Sequence, residues 1–328
     1  MAQVVAAISM SHAPGILGWP ETAAADVRAR MFHAIELTAS YLDRARPDVV
    51  VAFLDDHFEN IYRNLSPTFA IGVADAHRGP PDYFLQALRL ERPLRIPSNR
   101  RLAQAILEDT VHAGFDVARM GEIEYGNNLI APWVLIRPQN DIPVVPIFIN
   151  AYNPPLPTMA RAFDFGLAVR AVIDAAPESL RVAFLATGGL SHWPPIWLEH
   201  VEYDPSLRSF VERMKRYQHE GRPYLQEDPT LMIDLGACEQ QMARVMQRPL
   251  INPAWDRTFL AAIERGDGPF VRSLSYAEIE AQAGFGGHEL LNWAAGMGAM
   301  RAARATILNY EPVPEWICGM GFAIYGEP

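Results

Sequence analysis

Four short segments carry the residues on which chemistry would depend: Ser11-His12-Ala13-Pro14, Asp55-Asp56-His57, Gly188-Gly189-Leu190-Ser191-His192 and Gly284-Phe285-Gly286-Gly287-His288-Glu289. The first three follow strand-like apolar runs directly, so their polar side chains stand at strand ends, where open α/β sheets put their ligand sites. Two neutral imidazoles and one carboxylate, with adjacent positions left open, form the facial set that suits non-heme Fe(II) and oxygen chemistry. His12, His57 and Glu289 are the candidate ligands. His192 stands beside them as acid/base, because an imidazole can both accept and return a proton near neutral pH.

Each candidate also has a plainer reading. His12 can be a loop histidine bonded to backbone. Asp55 or Asp56 can cap a following helix, or hold the second ring nitrogen of His57 and fix its tautomer. Gly188-Gly189 fits a tight turn as well as a close backbone approach. Ser191 beside His192 resembles a nucleophile with its base, but neighbouring residues seldom reach that geometry and no G-x-S-x-G elbow exists. Glu289 can be a helix N-terminal acid, with His288 pointing elsewhere. Glu239 is a rival carboxylate, but it falls within a helical pattern and reads as part of a solvated face. His33, His77, His112 and His200 read as surface or locally satisfied residues.

These residues must be positioned by elements legible in the chain. Residues 3–10, 49–54, 143–149 and 181–187 are apolar strands, and 317–325 adds a final one; Pro146 suits an edge or a bulge. Helical spacing runs from Glu21 to Arg46, Arg100 to Ala113, Ala160 to Ala176, Trp255 to Arg265, Ser275 to Gln282 and Glu289 to Ala303. Ser275 and Glu278 make a capping box. Strand, helix, strand within the first 54 residues is a βαβ unit, which favours a parallel sheet. Residues 55–100 read as loop-rich and 122–128 as a polar loop. Helices near Ser206–Gln218 and Ile233–Gln247 form an insertion over the site. The expectation is α/β: one large domain with a central, mostly parallel sheet flanked by helices, and a helical insertion near 200–250.

Bulk composition narrows the classes. The 328 residues are half hydrophobic, with 28 basic and 38 acidic side chains and a net charge of −10. An acidic chain without a basic cluster argues against nucleic acid and against anionic membrane surfaces as partners. Two cysteines, without a CxxC, fit a reducing cytoplasm and exclude a thiolate metal site. No signal-peptide pattern and no run of 18 apolar residues is present.

The four segments, in order and together with Trp293 and Gly298-Ala299, resemble the type III (LigB-like) extradiol ring-cleavage dioxygenases, to which the protocatechuate 4,5-dioxygenase catalytic subunit and gallate dioxygenase belong. The likeness runs from about Val4 to Ala299 and is weakest between His200 and Pro253. It implies one catalytic domain over 1–328, Fe(II) held by His12, His57 and Glu289, and His192 as acid/base. It further implies an aromatic diol and O2 as partners, both oxygen atoms entering the product, and a homo-oligomer. One position departs. Where family members carry a substrate-facing Asp-His-Gly, this chain reads Glu124-Tyr125-Gly126. Tyr125 therefore takes the substrate-facing role, although a tyrosine is a poor base at neutral pH. That leaves a catechol, an ortho-aminophenol or a hydroxypyridine-type ring as substrates. The other readings are a non-catalytic, Memo-like or regulatory relative, and a zinc hydrolase using the same ligands.

Overall fold

The computed structural model describes residues 2–176, 179–246 and 249–326. Among the described residues there are ten strands: β1 (Gln3–Met10), β2 (Val49–Leu54), β3 (Phe69–Gly72), β4 (Ala76–Gly79), β5 (Leu94–Pro97), β6 (Val117–Met120), β7 (Val144–Ile149), β8 (Arg181–Thr187), β9 (Ala305–Val313) and β10 (Cys318–Tyr325). Eight form one sheet in the order β6-β3-β7-β2-β8-β1-β10-β9, while β4 and β5 pair separately. The four middle strands, β7-β2-β8-β1, are parallel. VVVAFL in β2 and VVPIFI in β7 are apolar without alternation and wholly buried, as strands covered by helices on both faces must be. Pairing turns antiparallel at β3 on β7 and at β10 on β1 and β9.

One face carries the helices Ala25–Ala45 and Asn127–Ile136. The other carries Arg100–His112, Met159–Ala175, Pro253–Arg265 and Leu290–Ala299. In the last of these, Gly298 lies against the backbone of Phe163, so close that any side chain there would separate the two helices. Ser275 caps its helix as expected, its Oγ accepting from Glu278 N at 3.2 Å.

Several expectations need correcting. Residues 55–100 are loop-rich but also hold β3, β4 and β5, each four residues long, too short to leave a periodic signal. The chain after Gly126 forms a buried helix, Asn127–Ile136, with Pro132 inside it. Pro146 sits in an interior strand, tolerated because β3 pairs only with Ile147–Ile149. The insertion consists of helices Arg208–Glu220, Tyr224–Glu227 and Leu235–Val245; Gln247, the expected end of the last, lies outside the described residues. These helices pack with Phe58, Tyr152 and Phe285, over the carboxyl ends of the parallel strands. No described helix is long and apolar enough to cross a membrane.

Candidate metal centre and substrate cavity

Each of the four parallel strands delivers one part of the site from its carboxyl end. His12 follows β1, Asp55 to His57 follow β2, Tyr152 follows β7, and Gly189 to His192 follow β8. Glu289 closes the short turn Phe285–Glu289 that opens the helix Leu290–Ala299. That helix is tied to the strand ends. Asn292 Nδ2 donates to Asp55 Oδ1 and to Thr187 O, both at 2.8 Å, and Trp293 Nε1 donates to Gly188 O at 3.0 Å.

The side chains converge on one point. His12 Nε2 lies 3.2 Å from Glu289 Oε2, and His57 Nε2 lies 3.1 Å from Glu289 Oε1 and 2.7 Å from Asp55 Oδ2. One ligand atom from each of His12, Asp55, His57 and Glu289 lies within 4.8 Å of the other three. His12 Nε2 and Asp55 Oδ2 are buried and, apart from the contacts just given within this group, have no hydrogen-bond partner among the described residues. Buried polar atoms are almost always paired, so unpaired lone pairs facing one centre are what a metal ion would satisfy. A further check is the His57 tautomer. Its Nδ1 lies 3.0 Å from Asn127 Oδ1, which can only accept, so Nδ1 carries the proton and Nε2 is free to ligate. Asn127, and neither aspartate, holds that second nitrogen; Asp56 instead accepts from the backbone of Asn60 and Ile61. These residues fit a metal.

His192 stands at the edge of this group. Its Nδ1 is 2.9 Å from Leu190 O, which fixes the proton there, and its Nε2 lies 3.4 Å from the Tyr152 hydroxyl and 3.5 Å from Glu289 Oε1. Its loop is anchored by Ser191, whose N–H and Oγ both donate to Asp256, at 2.9 and 2.7 Å, while Oγ accepts from Asn252 N. Ser191 is thereby a brace and not a nucleophile. Burial pushes the Glu289 carboxyl up, but the imidazoles of His12 and His192 outweigh it and hold Glu289 well below the usual carboxylate range. Burial, then the Glu289 charge, push the Tyr152 hydroxyl well above its ordinary value. Tyr152 is therefore protonated and donates to Glu289 Oε1; Gly189 N–H donates to Oε2.

Tyr125 is not with them. It is fully buried beside His77, ring centroids 5.7 Å apart, with no partner for its hydroxyl among the described residues and no place on the cavity wall. The sequence reading missed Tyr152, although it follows an apolar strand as the other site residues do. Glu239 is corrected too: it is buried, not solvated, and lines the cavity. Of the two readings of His77 the structure takes the second: it is buried, and its Nδ1 accepts from Ile123 N at 3.2 Å; His288 is buried and stacked on Tyr276. The cavity over these residues has a volume of about 110 Å³ and is partly open to solvent. The insertion supplies part of its wall through Met214, Tyr217, Met232 and Leu235.

Comparison with known proteins agrees with this geometry. A family model described as the catalytic LigB subunit of aromatic ring-opening dioxygenase matches residues 6–321. A 2,3-dihydroxyphenylpropionate/2,3-dihydroxicinnamic acid 1,2-dioxygenase of Rhodococcus jostii (strain RHA1) is 31% identical, over 97% of each chain. One of Pseudomonas putida is 30% identical, over 95% of each. A solved structure of an uncharacterized Escherichia coli K12 protein covers 98% of this chain and all of its own at 15% identity and a TM-score of 0.49, too loose a likeness to argue from. By the extent of the family match and of these relatives, the chain belongs to the LigB family of aromatic ring-opening dioxygenases.

Proposed function

We propose that the chain is an Fe(II)-dependent extradiol dioxygenase that opens a substituted catechol with O2, His12, His57 and Glu289 holding the metal. The observation that carries this reading is the convergence of His12 Nε2, His57 Nε2 and the Glu289 carboxylate, with the His12 nitrogens otherwise unpaired. A bound ferrous ion supplies Lewis acidity toward the ring oxygens and redox chemistry toward O2. The remaining work belongs to side chains. His192 presents Nε2 as the base that takes a proton from a ring hydroxyl and later returns it. Tyr152 donates to Glu289 and holds that carboxylate in place. Asp55, itself held by Asn292, stands beside His57 Nε2 as a further oxygen donor. Apolar walls keep water from the ring. The relatives' names support a catechol substituted beside the diol.

Anaerobic reconstitution with Fe(II), followed by O2 uptake on a panel of catechols, tests the reading. One O2 consumed per diol, with a yellow ring-fission product, is the expected result. No uptake with any diol, or Zn(II)-supported hydrolysis without O2, would overturn it. The same reading puts the enzyme in the cytoplasm as a homo-oligomer. Cys238 and Cys318, both free and buried, are in keeping with the first, and light scattering checks the second.

A further inference from the structure

The substrate named for the relatives carries a carboxylate on its side chain. A buried site for such an anion needs a cation or several free donors. Here the groups that can carry positive charge, His12, His57 and His192, are gathered at the metal centre, and the rest of the described lining offers neither. Among the described residues that line it there is no Arg and no Lys, whereas two carboxyl side chains besides the candidate ligand Glu289, those of Glu59 and Glu239, face it. Its hydroxyl hydrogens are already engaged. Tyr83 donates to the Tyr217 hydroxyl at 3.0 Å, Tyr217 to Phe58 O at 2.7 Å, and Tyr152 to Glu289. Much of the remaining wall is Pro195, Ile196, Met214, Met232, Leu235 and Trp316. Glu239 is only 6% exposed and makes no hydrogen bond or ion pair among the described residues. It is a buried polar group directed at whatever fills this chamber.

We infer that, given the dioxygenase reading above, the ring opened by this enzyme carries an uncharged, mainly apolar substituent, and that Glu239 rejects catechols bearing a carboxylate. A propionate tail entering the chamber would bury an anion among thioethers and aliphatic groups, with a carboxyl group as its polar neighbour. Unpaired buried charge opposes that, and like-charge contact adds to it wherever Glu239 is ionised. In its protonated form Glu239 offers a single O–H and still no positive charge. An alkyl, aryl or amide-ended substituent meets no such penalty. The unbranched methionines can shape themselves to it, and an amide can exchange hydrogen bonds with Glu239.

The test compares 2,3-dihydroxyphenylpropionate with its propionamide. Binding to the Fe(II)-loaded enzyme is measured by calorimetry without oxygen, and kcat/KM is measured once O2 is admitted. The amide is expected to bind at least about tenfold more tightly than the acid, a difference of about 1.4 kcal/mol, and to react correspondingly faster. Glu239→Gln should narrow the gap above about pH 8, where the carboxyl is ionised, chiefly through KM for the acid. If that variant does not fold, the wild-type ratio decides alone. Equal or tighter binding of the acid overturns the inference. Amide preference without O2 consumption leaves the inference standing and removes the dioxygenase reading. O2 consumption with the acid preferred does the reverse. Binding of neither compound overturns the inference.

Discussion

Replacing Gly286 by alanine should disable His192 while leaving the metal in place. A Cβ at Gly286 would lie within 2.5 Å of the ring atoms Cδ2, Nε2 and Cε1 of His192. To restore ordinary contact at 3.4 Å the imidazole must retreat by about 1 Å. It cannot slide freely, because its other side faces Gly189 and the ring is held through Nδ1 by Leu190 O. Misplacing a catalytic group by about 1 Å costs on the order of 100-fold in rate, equivalent to about 2.7 kcal/mol of barrier. Gly286→Ala should therefore lower kcat on the order of 100-fold with any diol the wild type accepts, measured as initial O2 uptake. Iron content should match the wild type, since His12, His57 and Glu289 are not displaced by this Cβ. A rate within about twofold of wild type would refute the reasoning. So would loss of iron in proportion to activity, which would route the effect through Glu289 instead.

Three further outcomes follow from the same geometry. Tyr152→Phe removes the hydroxyl that donates to Glu289 and faces His192. A hydrogen bond to a charged group contributes about 1.5–3 kcal/mol, so kcat should fall roughly 10- to 100-fold with iron retained; an unchanged kcat would contradict this role. Asp256→Ala leaves the buried Ser191 N–H without an acceptor and frees Tyr310. It should cost about 1–3 kcal/mol per buried group left unsatisfied, read as a lower midpoint in denaturant for the metal-free protein, and an unchanged midpoint would be evidence against the brace. Burial pushes Glu239 from an ordinary 4.5 up to about 8. The fold thus favours its protonated form, and stability is lost as pH rises from about 4.5 through 8. Glu239→Gln should melt with the wild type near about pH 5 and above it near about pH 9; equal melting at both would deny the burial of this carboxyl.

The strand ends were the most legible feature of the chain. Long apolar runs such as Val49–Leu54 can only be central strands, and the first polar residues beyond them, His12, Asp55 and His57, meet where the sheet topology brings parallel neighbours together. Local patterns failed where tertiary packing decides. The strands β3 to β5 are too short to have a period. The helix Asn127–Ile136 is apolar after its first two residues, with no polar face, because most of it is buried. Glu239 has the spacing of a solvated residue, and only the docking of the insertion over the strand ends turns it inward. Tyr125 and Tyr152 illustrate the same limit. Position along the chain suggested the first, but the end of β7 delivers the second to Glu289, and no local signal separates a tyrosine in the core from one at the cavity wall.

The most direct test of the account is iron bound per chain after anaerobic reconstitution, measured for the wild type and for His12→Ala, His57→Ala and Glu289→Gln. The account predicts one ferrous ion per wild-type chain and a large loss in each variant, with the metal-free proteins still folded by circular dichroism. Variants that hold iron as the wild type does would contradict it.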